Sequence, residues 1–327
     1  MTATVPVWAD ALAGVLGAHE LQGLRRLSGG ASRETWAFDA DGRPLILQRE
    51  RPGGVASGAM GTEVGLLRAA REAGVPVPAV VVFGGDVDDD VRGNAVDARA
   101  LGRSWMVVER IDGETIPRRI LRDEEFASAR PLLTAQCGRA LAAVHTIDPE
   151  AVPGLDPTDQ FQRFRELLDA MSEPHPAFEL GFRWLERNRP PARADTVVHG
   201  DFRNGNLVVG PDGLRAVLDW ELAHLGDPLE DLGWLCVRAW RFGASPRVGG
   251  FGDVDELVAA YESASGSTGT VDRDALAWWE AMGTLKWGVM CMLQAATHLA
   301  GTVRSVELAA IGRRVCEVEH DLLLLLP

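Results

Sequence analysis

The sequence predicts an α+β protein of two lobes, a small antiparallel sheet followed by a larger, mainly helical part. Short apolar runs separated by turn residues fill the first 110 positions, which is typical of strands. After Asp112 and Gly113 the apolar residues change to helical spacing. A chain of 327 residues is long enough for each lobe to have its own core. We therefore divide the chain into an N-terminal lobe, residues 1–110, and a C-terminal lobe, residues 111–327.

The N-terminal lobe is predicted to hold five strands and one helix. Short apolar runs predict the strands at residues 24–27, 34–38, 45–47, 80–83 and 105–108. Residues 63–73 have helical spacing, with Leu66 and Leu67 facing inward and Gly74 ending the helix. A small antiparallel sheet with one covering helix follows from this order.

The C-terminal lobe is predicted to be helical apart from one hairpin. Apolar residues at helical spacing predict helices at residues 126–146, 159–171, 178–188, 229–240, 254–264, 273–300 and 303–326. Between them, apolar runs at 207–209 and 216–218 flank a Pro-Asp-Gly turn, which is the signature of a β-hairpin. Another apolar run, residues 196–198, leads into the polar loop that precedes the hairpin.

That polar loop, His199-Gly-Asp-Phe-Arg-Asn-Gly-Asn206, presents Asp201 and Asn206, and the second hairpin strand ends at Asp219. Phosphoryl transfer from ATP needs this combination. One carboxylate accepts the proton of the attacking hydroxyl, while an amide oxygen and a second carboxylate hold Mg²⁺. We therefore predict Asp201 as the general base and Asn206 and Asp219 as the metal ligands. Arg203 lies between them and either reaches the γ-phosphate or the substrate, or forms an ordinary salt bridge.

The same segment resembles a known family. The H-G-D-x-x-x-x-N element, the Asp of A-V-L-D-W and the later G-D-P-L-E-D-L are similar to the aminoglycoside phosphotransferase and choline kinase family, which has a protein-kinase-like fold. The segment D-W-E-L-A-H-L-G-D-P is most similar to phosphotransferases related to the kinase-like domains that accompany acyl-CoA dehydrogenases. The resemblance implies a kinase dependent on ATP and Mg²⁺, with GTP as an alternative donor. It also implies nucleotide binding by the N-terminal lobe, an acceptor pocket in the C-terminal lobe, and an Asp231 that buttresses the catalytic loop.

The resemblance also implies which residues bind the nucleotide. The segment 28–33 lies between two predicted strands, where the family has a loop that covers the phosphates. Glycines there let backbone N–H groups approach an anion. Adenine is expected to meet the backbone of the link between the lobes at Glu109 and Ile111. The loop residues expected to contact the nucleotide are Ser28, Gly29, Gly30 and Ser32.

One departure concerns the lysine that the family carries on its third strand, where it pairs with the phosphates and with a helix glutamate. The single lysine of this chain is Lys286, far from that strand. Gln48 or Arg49 occupies the corresponding place. We predict Arg49 on charge alone, because a guanidinium holds phosphate in a forked contact. Glu63, on the following helix, is then its expected partner.

The acceptor is predicted from the segment 240–253, which is rich in glycine and holds Arg241 and Arg247. Because these arginines favour a carboxylate or phosphate on the acceptor, we predict phosphorylation of a hydroxyl on an anionic or acyl-type metabolite. Two alternatives remain open: an aminoglycoside or other antibiotic kinase, and a nucleotide-binding pseudokinase or regulatory module. A two-metal phosphoesterase is disfavoured because the later histidines lack the clustered spacing of metal ligands.

Charge and composition restrict the partners. The net charge of −14 argues against a nucleic-acid groove. The sequence contains neither a signal-peptide pattern nor a run of about 20 apolar residues. We expect a cytoplasmic protein that acts on a small-molecule acceptor, with no nucleic-acid or membrane partner. The sequence leaves the oligomeric state open.

Overall fold

The computed structural model of the protein describes residues 6–27, 33–50, 60–85, 101–102, 104–193, 195–266 and 271–326. Within them, a five-stranded antiparallel sheet and two helices form a small N-terminal lobe. The remaining helices and two short antiparallel strand pairs form a larger lobe. The predicted two-lobed α+β architecture is therefore confirmed.

The sheet of the N-terminal lobe has the strand order β1-β2-β3-β5-β4. Its strands are β1 (Leu21–Arg26), β2 (Arg33–Ala40), β3 (Arg43–Glu50), β4 (Val80–Gly85) and β5 (Ser104–Glu109). Helix α1 (Ala9–Leu16) packs on one face, where its Leu12 joins Phe38, Leu47 and Trp105 in a buried cluster. Helix α2 (Met60–Glu72) packs on the other face against residues of β5. Since side chains alternate between faces along a strand, each strand contributes to both layers.

The C-terminal lobe is built around one long helix. Its helices are α3 (Pro117–Arg122), α4 (Arg130–Val144), α5 (Gln160–Met171), α6 (Pro176–Arg187), α7 (Leu229–Cys236), α8 (Val254–Ser265), α9 (Arg273–Leu299), α10 (Val306–Gly312) and α11 (Val315–Leu325). The 27-residue α9 packs against α5, α6, α7, α10 and α11. No helix in the described ranges is long and apolar enough to cross a bilayer.

Two short strand pairs position the polar loop. Strand β6 (Thr196–Val198) pairs with β9 (His224–Gly226), and β7 (Leu207–Gly210) pairs with β8 (Gly213–Val217). The β7–β8 pair is the predicted hairpin, whereas β9 is not among the predicted elements. Because β6 precedes the loop and β7 follows it, the two pairs fix both ends of residues 199–206.

Several predicted helices have different ends in the structure. The predicted helix 303–326 is two helices, α10 and α11, separated after Gly312. A Cβ at Gly312 would lie 2.5 Å from the Cβ of Ala295 on α9, so α10 approaches α9 closely at this residue. The predicted helix 229–240 ends at Cys236 and continues as a 3₁₀ turn. Helices α1 and α3 are additional to the predicted set.

Candidate active site

A cleft of about 440 Å³ lies between the sheet and the β7–β8 hairpin. Its apolar walls include Ala37, Ile46 and Val108 from the sheet and Val208 and Val217 from the hairpin. Charged and polar side chains also line it, namely Arg33, Glu63, Asn206 and Asp219. An apolar slot beside such groups suits a ligand with a flat ring at one end and a charged group at the other.

The link between the lobes forms part of the cleft wall at Glu109 and Ile111. The Glu109 N–H donates to the Ala79 carbonyl at 2.9 Å, and the Arg110 N–H donates to the Pro44 carbonyl at 3.1 Å. Ile111 is thus the first residue of the link whose N–H has no acceptor among the described residues. The Glu109 side chain faces solvent, where it contacts Arg43 at 3.3 Å.

The Asp201 carboxylate follows β6 and is held by three side-chain donors. Trp234 Nε1 donates to Oδ1 at 2.8 Å, and Asn206 Nδ2 donates to Oδ2 at 2.6 Å. Arg203 Nε donates to Oδ1 at 3.0 Å and to Oδ2 at 3.2 Å. The side chain is nearly buried, and these contacts fix its rotamer. A carboxylate held in this way is suited to orient a hydroxyl group.

Asn206, just before β7, and Asp219, just after β8, line the same cleft. The Asn206 amide nitrogen donates to the backbone carbonyl of Asp201 at 3.0 Å as well as to its carboxylate. Both hydrogens of the amide are therefore used, which leaves its oxygen facing away from Asp201. One amide oxygen and one carboxylate form a hard-oxygen donor set of the kind that Mg²⁺ prefers.

Asp219 combines backbone strain with a crowded negative charge. Its φ is 67°, in the left-handed region that non-glycine residues occupy at a cost. Burial, together with the negative charges of Glu221, Asp201 and Glu63, raises the pKa of Asp219 to about 7. A divalent cation at this place would relieve both the repulsion and the desolvation.

Asp231, on α7, braces the catalytic loop as expected. The fully buried carboxylate accepts hydrogen bonds from the backbone N–H of His199 at 2.8 Å and of Gly200 at 2.9 Å. His145 Nε2 lies 3.2 Å from the same carboxylate. Burial by itself would raise the pKa of Asp231, but the hydrogen bond and charge of His145 and the contacts with His199 hold it below its ordinary value. Gly200 has a φ of 74°, and a Cβ there would lie 2.4 Å from the Leu222 carbonyl oxygen.

Lys286 supports the loop from behind. Its Nζ donates to the Gly200 carbonyl and to Glu230 Oε1, each at 3.0 Å, and it lies 4.7 Å from the ring centroid of Trp234. Glu230 Oε2 is 3.1 Å from His224 Nε2, so these three side chains form one buried network. Burial alone would raise the pKa of Glu230, but the charges of Lys286 and His224 more than offset it and the pKa is lowered.

The predicted pair of Arg49 and Glu63 is wrong. Arg49 lies directly opposite Glu34 in the sheet register, and its Nε is 3.3 Å from that carboxylate on the face covered by α1. Gln48 lines the cleft instead, because consecutive strand residues point to opposite faces. Glu63 pairs with Arg33, the first residue of β2, and both side chains are buried.

Arg241 and Arg247 share one partner, the buried carboxylate of Glu280 on α9. Arg241 also donates to the Cys236 carbonyl at 2.8 Å, so its guanidinium links the end of α7 to α9. The Arg247 side chain is 52% exposed, which leaves it open to a ligand. Arg203, besides its bonds to Asp201, lies 4.5 Å over the ring of Trp240.

Four predicted nucleotide contacts, Ser28, Gly29, Gly30 and Ser32, lie outside the described residues. The contacts of three site residues were not predicted from the sequence: Arg33 was placed only at the end of the phosphate-covering segment 28–33, and Trp234 and Lys286 were given no contact with the catalytic loop. The strand alternation of residues 33, 35 and 37 was the available signal for Arg33, since these residues share the cleft face. Nothing local to Trp234 or Lys286 indicates a contact with a loop that lies 33 and 86 residues earlier, respectively.

A model of the Phosphotransferase enzyme family matches residues 23–279. Mouse acyl-CoA dehydrogenase family member 10 is 29% identical over 260 residues, which are 75% of this chain and 23% of that protein. Chicken acyl-CoA dehydrogenase family member 11 is 28% identical over 228 residues, 64% of this chain and 27% of that protein. The chain thus spans about a quarter of the length of these curated relatives.

Solved structures share the fold over nearly the whole chain. A candidate aminoglycoside phosphotransferase from Ralstonia eutropha has a TM-score of 0.72 at 22% identity and covers 97% of each chain. A choline/ethanolamine kinase family protein from Mesorhizobium loti has a TM-score of 0.65 at 20% identity, with 97% of this chain and 95% of that chain covered. A mutant of aminoglycoside phosphotransferase APH(4)-Ia in ternary complex with AMP-PNP and hygromycin B has a TM-score of 0.62 at 15% identity, covering 96% of this chain and 98% of its own.

Proposed function

The chain belongs to the Phosphotransferase enzyme family, and on that premise we propose that it is a kinase that uses ATP and Mg²⁺ to phosphorylate a hydroxyl group of a small molecule. One observation carries the proposal. Asn206 and Asp219 line a single cleft, and Asp201 lies beside them within hydrogen-bond distance of Asn206. These are the groups that proton acceptance and phosphate–metal binding require in kinases.

The nucleotide is proposed to lie in the cleft between the lobes. Its base would lie between the apolar walls and meet the backbone at Glu109 and Ile111, where the Ile111 N–H is free to donate to a ring nitrogen. Its phosphates would extend toward Arg33 and Asp219. The N-terminal lobe, 1–110, then serves nucleotide binding, and the rest of the chain serves catalysis and acceptor binding. GTP is an alternative donor, since a fold neighbour is known as a GDP complex.

Mg²⁺ is the metal that fits the residues present. No cluster of three or more His, Cys, Asp or Glu within the described ranges is arranged to hold a metal ion. A cation here would take the Asn206 amide oxygen and the Asp219 carboxylate and complete its coordination elsewhere. Mg²⁺ binds in this way, through one or two protein oxygens together with substrate phosphates. When bound, it would neutralise the charge of the transferred phosphoryl group.

The chain's own residues then account for the transfer. The acceptor hydroxyl oxygen forms a bond to the γ-phosphorus as the bond between that phosphorus and the β,γ-bridging oxygen breaks. The hydroxyl proton passes to Asp201, whose carboxylate Trp234, Arg203 and Asn206 hold in one orientation. The electron pair of the broken bond stays on the nucleoside diphosphate. Positioning contributes most of the rate enhancement in such reactions.

The acceptor is proposed to be an anionic or acyl-type metabolite that carries a hydroxyl group. Arg247 supports this proposal, because its guanidinium is half exposed while Glu280 anchors one of its nitrogens. Arg241 uses its Nε and one terminal nitrogen to bind the Cys236 carbonyl and Glu280, so we assign it the role of supporting Arg247. Polycationic antibiotics would be repelled by these two arginines, although the net charge of −14 would attract them at longer range.

Calorimetry and product release test the reaction class. Purified protein should bind ATP only weakly without Mg²⁺ and more tightly with it, and it should release ADP when a metabolite panel is added. Asp219→Ala should weaken binding of the Mg²⁺–ATP complex, because it removes a proposed metal ligand. A protein that shows no affinity for either ATP or GTP contradicts the kinase proposal. Nucleotide binding without turnover of any acceptor would favour the pseudokinase alternative.

The acceptor class has its own test. A panel of hydroxylated carboxylates, acyl compounds and aminoglycosides would be compared by the ratio kcat/KM. Arg247→Gln should lower kcat/KM for an anionic acceptor by roughly tenfold or more and leave the KM for ATP unchanged. Efficient phosphorylation of kanamycin-type drugs by the wild-type protein would replace this acceptor class with the antibiotic alternative.

A further inference from the structure

The cleft face of β3 carries no cation. Gln48 occupies that face, and Arg49 points to the opposite face, where Glu34 and Trp8 surround it. Lys286 lies behind the catalytic loop and binds the Gly200 carbonyl. If nucleotide phosphates enter this cleft, a basic group must meet them from another element.

Arg33 lies next to Gln48, the position on the cleft face of β3 where a cation is missing. Residues 33, 35 and 37 of β2 line the cleft, and Thr35 is directly opposite Gln48 in the antiparallel register. Arg33 is two residues further along, so it is the diagonal neighbour of Gln48 on the same face. Diagonal neighbours lie about 7–8 Å apart, a distance that a long side chain spans. The Arg33 guanidinium can therefore reach the place that a basic side chain at position 48 would occupy.

The Arg33 side chain is partly paired and partly free. Glu63 on α2 accepts a hydrogen bond from one terminal nitrogen of the guanidinium, and both residues are more than nine-tenths buried. Arg33 Nε is buried and has no hydrogen-bond partner in the described structure. A buried donor without a partner is unfavourable, and an anion in the cleft would satisfy it. The planar guanidinium can bind a phosphate with one edge while Glu63 holds another nitrogen.

Glu63 completes the arrangement. Burial raises the pKa of Glu63, and the charge and hydrogen bond of Arg33 oppose this rise. Arg25 also lines the cleft from β1, but it is exposed and far less constrained than Arg33. Among the described residues of the cleft, Arg33 is thus the basic side chain whose position is fixed by a carboxylate on α2.

We propose that Arg33, oriented by Glu63, binds the non-transferred phosphates of the nucleotide and replaces the basic residue that the third strand lacks. This proposal rests on the proposed function. The phosphate-binding cation then lies on β2 and not on β3. Gln48 is a neutral neighbour of that cation and does not itself supply the positive charge.

Calorimetric titration with Mg²⁺–ATP and with adenosine tests the assignment. Arg33→Gln should raise the Kd for Mg²⁺–ATP by roughly 10- to 100-fold, because a charge-assisted contact is lost. The Kd for adenosine, which has no phosphate, should stay unchanged. Arg49→Gln is a matched control, since Arg49 is equally buried, also pairs with a glutamate and lies on the other face of the sheet. It should change neither Kd.

A relocated charge gives a second variant in case Arg33→Gln unfolds, because Gln48→Lys returns a cation to the neighbourhood of the buried Glu63. The double substitution Arg33→Gln and Gln48→Lys should recover most of the affinity for Mg²⁺–ATP, whereas Gln48→Lys alone should not weaken binding. Thermal unfolding of each variant checks that the fold is retained.

Three results would overturn the proposal. Arg33→Gln could bind Mg²⁺–ATP as tightly as the wild type, or it could lose adenosine affinity to the same extent as ATP affinity. Arg49→Gln could also show the larger loss for ATP. A wild-type protein that binds no nucleotide at all would instead remove the proposed function together with this one, so the two failures are distinguishable.

Discussion

Asp201 is held by three donors from two parts of the chain. Arg203 and Asn206 belong to its own loop, and Trp234 belongs to α7. Each donor occupies a lone pair of the carboxylate, so its oxygens are held in one orientation. At the scale of single residues, the proposed phosphoryl transfer depends on that orientation.

Asp201→Asn is expected to separate binding from transfer. The amide keeps the size of the side chain but cannot take up the hydroxyl proton, so kcat should fall by roughly 10²–10⁴. The Kd for Mg²⁺–ATP should change little, because Asn206 and Asp219 remain. Steady-state ADP release and calorimetry measure the two quantities. Asp212→Asn, at the exposed turn of the β7–β8 hairpin, is the control and should alter neither. A parallel loss of nucleotide affinity in Asp201→Asn would contradict the assigned role.

Trp234→Phe removes the Nε1 donor to Asp201 and keeps an aromatic ring in a buried position. We expect kcat to fall by roughly tenfold, the effect of one hydrogen bond to a charged group, with the KM for ATP unchanged. Trp287→Phe is the matched control, because Trp287 Nε1 is buried and has no partner among the described residues. Equal effects of the two substitutions on kcat would mean that packing, and not the hydrogen bond, is responsible.

At the scale of elements, two buried networks hold the catalytic loop. Asp231 binds the backbone N–H groups of His199 and Gly200, and Lys286 binds the Gly200 carbonyl. The loop is thus held from α7 and from α9. The supports come from the helical lobe, so the position of the loop depends on helix packing and not on its own hairpin alone.

Lys286→Met should lower the free energy of unfolding by about 3–5 kcal/mol, because it leaves the Glu230 carboxylate buried with a weaker partner set. The double substitution with Glu230→Met should recover part of this loss, since both charges are then removed. Urea denaturation of the two variants and of Glu230→Met alone measures the difference. If the double variant is less stable than the wild type by the full sum of the losses measured for Lys286→Met and Glu230→Met alone, the two side chains are not coupled.

His224 gives this network a pH dependence of known sign. Burial by itself would lower the pKa of His224, but the charge and hydrogen bond of Glu230 and the Leu222 carbonyl outweigh burial and the charge of Lys286, and the pKa is raised. The neutral amide of Gln160 also contacts the ring. The protonated imidazole therefore stabilises the fold below its unfolded pKa, and this contribution is lost as the pH rises through the folded value.

His224→Gln should accordingly reduce the free energy of unfolding more at about pH 6 than at about pH 9, because only the protonated imidazole pairs with Glu230. Urea denaturation at the two pH values measures this, with the exposed His320→Gln as the control. A loss of stability that is the same at both values would show that the histidine acts through packing and not through its charge.

At the scale of the whole molecule, the cleft lies where the two lobes meet. Its lining combines residues of the sheet, of the link at Glu109 and Ile111, and of the β7–β8 hairpin. A ligand in this cleft contacts elements from both lobes at once. Binding should therefore stabilise the protein as a unit.

Mg²⁺–ATP is expected to raise the Tm. At a concentration about 100 times the Kd, a ligand that binds only the folded protein adds about 2.7 kcal/mol to the free energy of unfolding, which corresponds to a few degrees. Thermal unfolding monitored by fluorescence measures the shift. Asp219→Ala should show a smaller shift than the wild type at the same concentration. An unchanged Tm in saturating nucleotide would contradict binding in this cleft.

The sequence by itself determined the two-lobed architecture and the group of Asp201, Asn206 and Asp219. These three residues lie within 19 positions, and a local hairpin is enough to bring them together. Their proximity could therefore be predicted without knowledge of the rest of the fold.

Only the tertiary structure decided which arginine pairs with Glu63 and what holds the catalytic loop. The choice between Gln48 and Arg49 depends on strand register, since a shift by one residue moves a side chain to the other face of the sheet. Charge alone favoured Arg49, but the register pairs it with Glu34 and leaves Arg33 beside Glu63. The contact between Lys286 and Gly200 joins residues 86 positions apart, and only the packing of α9 behind the loop brings them together.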